Sequence, residues 1–183
     1  PITALYSSPL QRAASTAKHI LEKFNSQLIP IFDDGLLEVE LGEWSGLTVK
    51  EVKENFPEAY QTWKRDPKKL VLNRKDGSKY SPIQELMNQA EDFLARLTAS
   101  HSQNEAENIV IVGHNAILRC IALTLLGKPE QGFRRLQLDN ASISIFNLAT
   151  NQAKTSQVQL ECLNNTTHLN QPFPSKGTHA RLI

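Results

Sequence analysis

The chain has 183 residues, of which 40% are apolar and 21% charged, with 20 basic side chains against 19 acidic ones. That apolar content excludes a disordered chain, and a net charge of +1 supplies no global field for nucleic acid or an anionic membrane. No apolar run approaches the roughly 18 residues needed to span a bilayer, and two cysteines, Cys120 and Cys162, are too few for a disulfide framework, so a reducing, cytoplasmic setting is expected.

Ile2 to Tyr6 reads as a short strand, and Ser7-Ser8-Pro9 as a turn whose proline can open a helix. The helical spacing of Ala13, Ala17, Ile20, Leu21 and Phe24 predicts a helix from Leu10 to Asn25. A strand from Ile29 to Phe32 follows. Asp33-Asp34-Gly35 then turns the chain into a strand-like run, Leu36 to Leu41, and a glycine-bounded loop, Gly42 to Gly46. Helices are predicted over Thr48–Asn55 and from Pro57 to Lys64. Residues 66–82 lack periodicity and read as a loop or lid. A helix over Ile83–Ser100 turns Leu86, Ala90, Phe93, Leu94 and Leu97 inward. Ile109-Val110-Ile111-Val112 has the uninterrupted apolar character of a central parallel strand covered on both faces. Ala116–Leu126 continues as an apolar helix closed by Gly127. Strands follow at Ser142–Leu148 and Val158–Leu163, and then a polar tail. Strands alternating with helices point to an α/β fold of three layers.

Three places carry candidate chemistry. Gly113-His114-Asn115 sits where a buried strand hands over to a helix, the edge at which ligands collect in open α/β sheets. The N–H groups of such a helix start favour an anion. Ser8 and Arg12 occupy the equivalent place after the first strand, and a cation in a first helical turn opposes the helix dipole unless it serves an anion. Between residues 33 and 43 stand five acids and no base; Glu38, between Leu37 and Val39, is a candidate proton donor. Glu40 points the same way in a two-residue period, so patterning does not choose between the two.

Together these segments resemble the histidine phosphatase superfamily, the group related to phosphoglycerate mutase. Ser7-Ser8-Pro9-Leu10-Gln11-Arg12 looks like one signature of that family and Leu36-Leu37-Glu38, with Gly42-Glu43-Trp44-Ser45-Gly46, like another. Val110 to Asn115 resembles the strand bearing the family's second essential histidine, and Leu138 to Ser144 a strand entry near its C-terminus. The resemblance covers residues 1–163. It implies a mostly parallel sheet in a three-layer α/β/α sandwich of the phosphoglycerate mutase type. It also implies a phosphate pocket in which Arg12 and His114 hold the phosphoryl group, with Ser8 and Asn115 beside them, and Glu38 protonates the leaving alcohol. His114 and Glu38 are thus the implied catalytic residues. No metal and no cofactor are implied. The partner is a small phosphorylated substrate, with neither nucleic acid nor membrane. The loop around Trp44 is more like the phosphatase branch than the mutases. A mutase-type phosphoryl transfer and a non-catalytic phosphate-binding or regulatory domain are the alternatives.

The family's nucleophile is a further histidine in an Arg-His-Gly motif after the first strand, and this sequence has no such motif. His19, His101, His168 and His179 follow no strand in that way. The expectation is therefore a domain over 1–163 that is incomplete at its N-terminus and lacks the first central strand. A tail or linker over 164–183 would end in Ala180-Arg181-Leu182-Ile183, which resembles the start of a second similar domain. By itself such a chain is expected to be inactive. With backbone groups unpaired beside the missing strand, it is also expected to be weakly stable or to self-associate. The helix over 83–100 carries Gln89 near the place where the family commonly has an arginine. The seven basic residues of 64–79 offer a field for a phosphorylated substrate.

Overall fold

The computed structural model describes residues 1–24, 27–101, 107–127, 132–150 and 156–169. In chain order it contains β1 (Ala4–Ser7), α1 (Gln11–Lys23), β2 (Ile31–Phe32), α2 (Val49–Asn55), α3 (Pro57–Arg65), β3 (Leu72–Asn73) and β4 (Lys79–Tyr80). There follow α4 (Pro82–Ser100), β5 (Ile109–Val112), α5 (Asn115–Leu125), β6 (Ile143–Thr150) and β7 (Ser156–Asn165), with 3-10 turns between several of them.

β2, β1 and β5 form a parallel sheet in that order, with Tyr6 opposite Ile31 on one side and Ile111 on the other. Side chains alternate across it. Leu5, Val110 and Val112 pack with Ala17 and Leu21 of α1, while Ala4, Tyr6, Ile109 and Ile111 join the larger core with Phe93 and Leu97 of α4 and Ile117 of α5. Helices therefore cover both faces, which is why these strands could be written as continuous apolar runs. The three-layer α/β architecture is as expected.

Local chemistry explains the element ends. α2 opens on a capping box, in which the Thr48 hydroxyl accepts from the N–H of Glu51 and the Glu51 carboxylate accepts from the N–H of Thr48. Pro57 and Pro82 occupy the first turns of α3 and α4, where a missing N–H costs nothing.

Three expectations change. Residues 37–41 form no strand; Asp34–Leu36 is a 3-10 turn, and the chain beyond it reaches the next 3-10 turn at Gly42–Trp44 without a described strand partner. An alternation inferred for residues 36–41 thus has no sheet to refer to. Residues 66–82 are not a lid: β3 and β4 pair as an antiparallel hairpin, and Leu70, Leu72 and Tyr80 are buried in the core. A two-residue strand offers too little sequence for a period to register. β7 spans Ser156–Asn165, longer at both ends than the expected strand Val158–Leu163, and a 3-10 turn follows at Thr167–Leu169. The strand-like 180–183 lies outside the described residues, as does the rest of the expected linker from 170 on.

β6 and β7 pair with each other alone among the described strands, and β5 pairs only with β1. The hairpin leaves Ile143, Ile145 and Leu148 well exposed. The carbonyls of Asn108 and Val112 face β1 and its flanks, so strand alternation turns the amides of Ile109 and Ile111 toward the other edge, which no described strand pairs with.

Candidate functional site

β1 and β5 run side by side in the same direction, so their carboxyl ends deliver Ser8 and His114 to one place. Ser8 is fully buried and His114 nearly so. Arg12, in the first turn of α1, reaches back and donates its Nε–H to Nδ1 of His114 at 3.0 Å. With Nδ1 accepting, a neutral imidazole carries its proton on Nε2, which stands 2.9 Å from the Ser8 hydroxyl oxygen. That oxygen also accepts from the N–H of Leu10 at 3.3 Å. The Ser8 hydroxyl hydrogen is left without an acceptor among the described residues. Burial, helped by the Arg12 charge, pulls the His114 pKa down to about 4 from an ordinary 6.5. The imidazole is therefore neutral at neutral pH.

Arg12 is exposed, and among the described residues no acceptor takes its terminal Nη groups. Their fork of donors has the geometry that suits a tetrahedral oxyanion.

The start of α5 is occupied by the protein itself. Its Ala116 N–H points at the Glu38 carboxylate, 3.2 and 3.4 Å from the two oxygens, and Glu38 also accepts from its neighbour Val39 at 3.0 Å. The helix-start anion expected from the sequence is thus a side chain of this chain. Burial raises the Glu38 pKa, opposed by the N–H groups of Val39, Ala116 and Ile117 and by the Arg12 charge. A half-buried carboxyl that keeps its proton more readily than usual is suited to donating it.

Geometry separates the two acids that patterning left equal. Glu40 is largely exposed and lies 3.5 Å from Arg74, a residue that also pairs with Glu85 and covers the Tyr80 ring at 4.0 Å. Glu38 alone joins the group around Arg12 and His114. Arg74, one of the seven basic residues between 64 and 79, is thereby committed to the β3–β4 hairpin.

Asn115 does not join that group. Its side-chain N–H donates to the Leu138 carbonyl at 2.6 Å, and its Oδ1 is buried without a partner, so it ties α5 to the segment before β6. The other described histidines are engaged elsewhere: His19 with the Ser15 carbonyl on α1, His101 between Tyr6 and Glu107, and His168 in the last 3-10 turn. His179 lies outside the described residues. Trp44 and Trp63 are buried and meet edge to face, as packing anchors.

Two supporting residues have roles that the sequence reading did not assign: Gln89, noted there only for its position, and Arg119, not noted at all. Gln89 donates to the carbonyls of Gly35 and Leu37, at 3.2 and 3.0 Å, and so fixes the backbone that carries Glu38. Arg119, inside the apolar α5, lies 5.4 Å from the Phe133 ring centre, and its Nε is buried without a partner. Burial lowers its pKa while Glu38 and Asp139 draw it up. A lone arginine in an otherwise apolar helix was the available signal. Among the described residues no cluster of His, Cys, Asp or Glu is placed to hold a metal ion, and no helix is long and apolar enough to cross a membrane.

Residues 1–161 match the sequence model of the histidine phosphatase superfamily (branch 1). The chain is 28% identical over 161 residues to phosphoserine phosphatase 1 of Hydrogenobacter thermophilus, covering 88% of this chain and 72% of that protein. It is 32% identical over 141 residues to a probable 2-carboxy-D-arabinitol-1-phosphatase of Arabidopsis thaliana, covering 77% of this chain and 27% of that much longer one. Among solved structures, a mycobacterial glucosyl-3-phosphoglycerate phosphatase superposes with a TM-score of 0.71 at 22% identity over 89% of this chain and 77% of that one. The alpha-ribazole phosphatase of Shigella flexneri gives 0.70 at 25% identity over 90% and 74%.

Proposed function

The chain belongs to the histidine phosphatase superfamily (branch 1), and from that premise we propose that it carries the phosphate-holding and proton-donating part of a phosphomonoesterase. The observation that supports this reading is the 3.0 Å contact between Arg12 Nε and His114 Nδ1, beside a carboxyl at Glu38 whose pKa is raised by burial. The Arg12 Nη groups and the Ser8 hydroxyl bind phosphoryl oxygens. A phosphate entering between Arg12 and His114 replaces their mutual hydrogen bond, and its charge favours the protonated imidazole.

Hydrolysis runs in two steps. In the first, a nucleophilic imidazole forms an N–P bond as the ester P–O bond breaks, and Glu38 gives its proton to the leaving oxygen. In the second, Glu38 takes a proton from a water whose oxygen forms a P–O bond as the N–P bond breaks, which releases inorganic phosphate and restores the imidazole and the protonated Glu38. His114 does not serve as that nucleophile in this reading, because it lies buried between Arg12 and Ser8. The nucleophile belongs to a strand outside residues 1–183 that pairs with the free edge of β5 and ends beside His114. Similarity to phosphatases named for phosphoserine and for carboxyarabinitol phosphate supports hydrolysis of a small phosphorylated metabolite.

Calorimetric titration of residues 1–183 with orthovanadate tests the pocket. Binding that disappears in Arg12→Ala is expected, and binding unchanged in that variant sinks the assignment. Turnover of para-nitrophenyl phosphate tests the nucleophile. The chain of 183 residues is expected to be inactive and the full gene product active. Turnover by the 183-residue chain that is lost in His114→Ala would instead make His114 the nucleophile.

A further inference from the structure

A cavity that shares no residue with the Arg12–His114 site lies in the angle between the end of α3, the turn after it, α4 and the segment after α5. Its volume is about 370 Å³, within the range of small-molecule sites. Its floor is apolar: Ile83, Met87 and Phe133 are all buried. Gln84, Met87 and Glu91 reach it from one face of α4, at spacings of three and four residues. Gln89, on another face, supports the backbone that carries Glu38.

The rim is cationic. Arg65, Lys68, Arg134 and Arg135 line it, against the acids Asp66 and Glu91. Asp66 is already paired with Lys69 at 3.1 Å. Arg134 is spent on structure, donating to the Trp63 carbonyl and stacking 4.6 Å from the Trp63 ring centre. Arg65 and Arg135 differ. Both are exposed at the cavity, and among the described residues no carboxylate pairs with either. Two guanidinium groups without anionic partners above a buried apolar floor suit a ligand of matching polarity at its two ends.

We infer that this cavity binds a small organic anion, a phosphoryl or carboxylate group on an aromatic or branched apolar body, with the anionic end at Arg65 and Arg135 and the body against Met87 and Phe133. Such a ligand occupies a site separate from the phosphate pocket, so a phosphorylated metabolite can bind here without being turned over.

Met87 is the only methionine of the chain, which makes its methyl group a single-signal reporter. Protein carrying ¹³C-methyl methionine is titrated with phenylphosphonate, whose P–C bond resists hydrolysis, and in parallel with benzyl alcohol and with inorganic phosphate. A saturable shift of the Met87 methyl signal is expected with phenylphosphonate. Benzyl alcohol and inorganic phosphate, each lacking one half of the ligand, are expected to bind at least about tenfold more weakly. Arg65→Gln with Arg135→Gln, both exposed substitutions, should weaken phenylphosphonate about tenfold or more while leaving the free Met87 signal in place. Arg12→Ala should leave the titration unchanged even if it abolishes vanadate binding, which separates this site from the phosphate pocket. No saturable shift, equal binding of benzyl alcohol, insensitivity to the double variant, or loss of the shift in Arg12→Ala would each overturn the inference.

Discussion

Arg12 donates its Nε–H to Nδ1 of His114 across 3.0 Å, and a residue from the start of α1 thereby sets the tautomer of one at the end of β5. The contact exists only because β1 and β5 are adjacent and parallel. It has a consequence for pH. The folded-state pKa of His114 is about 4, below the ordinary 6.5, so between those values the unfolded chain binds more protons than the folded one. Stability contributed by neutral His114 is therefore full above pH 6.5 and is lost progressively as pH falls toward 4. Thermal melts across that window should show a shallower loss of Tm in His114→Gln than in the parent. Parallel curves would mean that the imidazole titrates normally.

Glu38 has the opposite sign. Its pKa is raised, so the protonated form needed for donation persists to higher pH than an exposed carboxyl would allow. In any active form of the protein, Glu38→Gln should cost about a hundredfold or more on alkyl phosphates, whose leaving group needs a proton. It should cost far less on para-nitrophenyl phosphate. The alkyl-phosphate rate should also fall as pH rises through the Glu38 pKa. Equal losses on both substrates, or a flat profile, would remove Glu38 from that role.

The edge of β5 that no described strand pairs with can be read by hydrogen exchange. Ile109 and Ile111 turn their amides away from β1, whereas Val110 and Val112 face it. In monomeric protein of residues 1–183, the first pair should exchange much faster than the second. Raising the protein concentration should protect Ile109 and Ile111 if a strand of a second copy pairs there. Equal protection of all four amides in dilute monomer would show the edge to be covered.

Gly42 has φ +45°, and a Cβ there would run into the Asn73 carbonyl oxygen and sit 3.0 Å from the Tyr80 hydroxyl. Gly42→Ala should destabilise the fold by about 1–3 kcal/mol, because the backbone strain and the collision with the β3–β4 hairpin act together. Urea unfolding measures it, with Gly77→Ala as the comparison, since Gly77 has a positive φ but open space around it. A larger loss in Gly77→Ala would assign the effect to backbone strain alone.

Much was legible from residues alone because the governing forces are local or periodic. The apolar run 109–112 and the amphipathic spacing of α1 and α4 each follow from short-range chemistry, and the order of the motifs around Ser8, Arg12, Glu38 and His114 pointed to the family that residues 1–161 match. Tertiary structure alone decided what those residues do to one another. Glu38 and Glu40 differ by two positions, and only the fold sends one to the start of α5 and the other to Arg74. Asn115 follows His114, yet its side chain is drawn to Leu138. The protonation state of His114 depends on burial and on a guanidinium 102 positions away, and electrostatics of that kind acts through space and has no period in the chain.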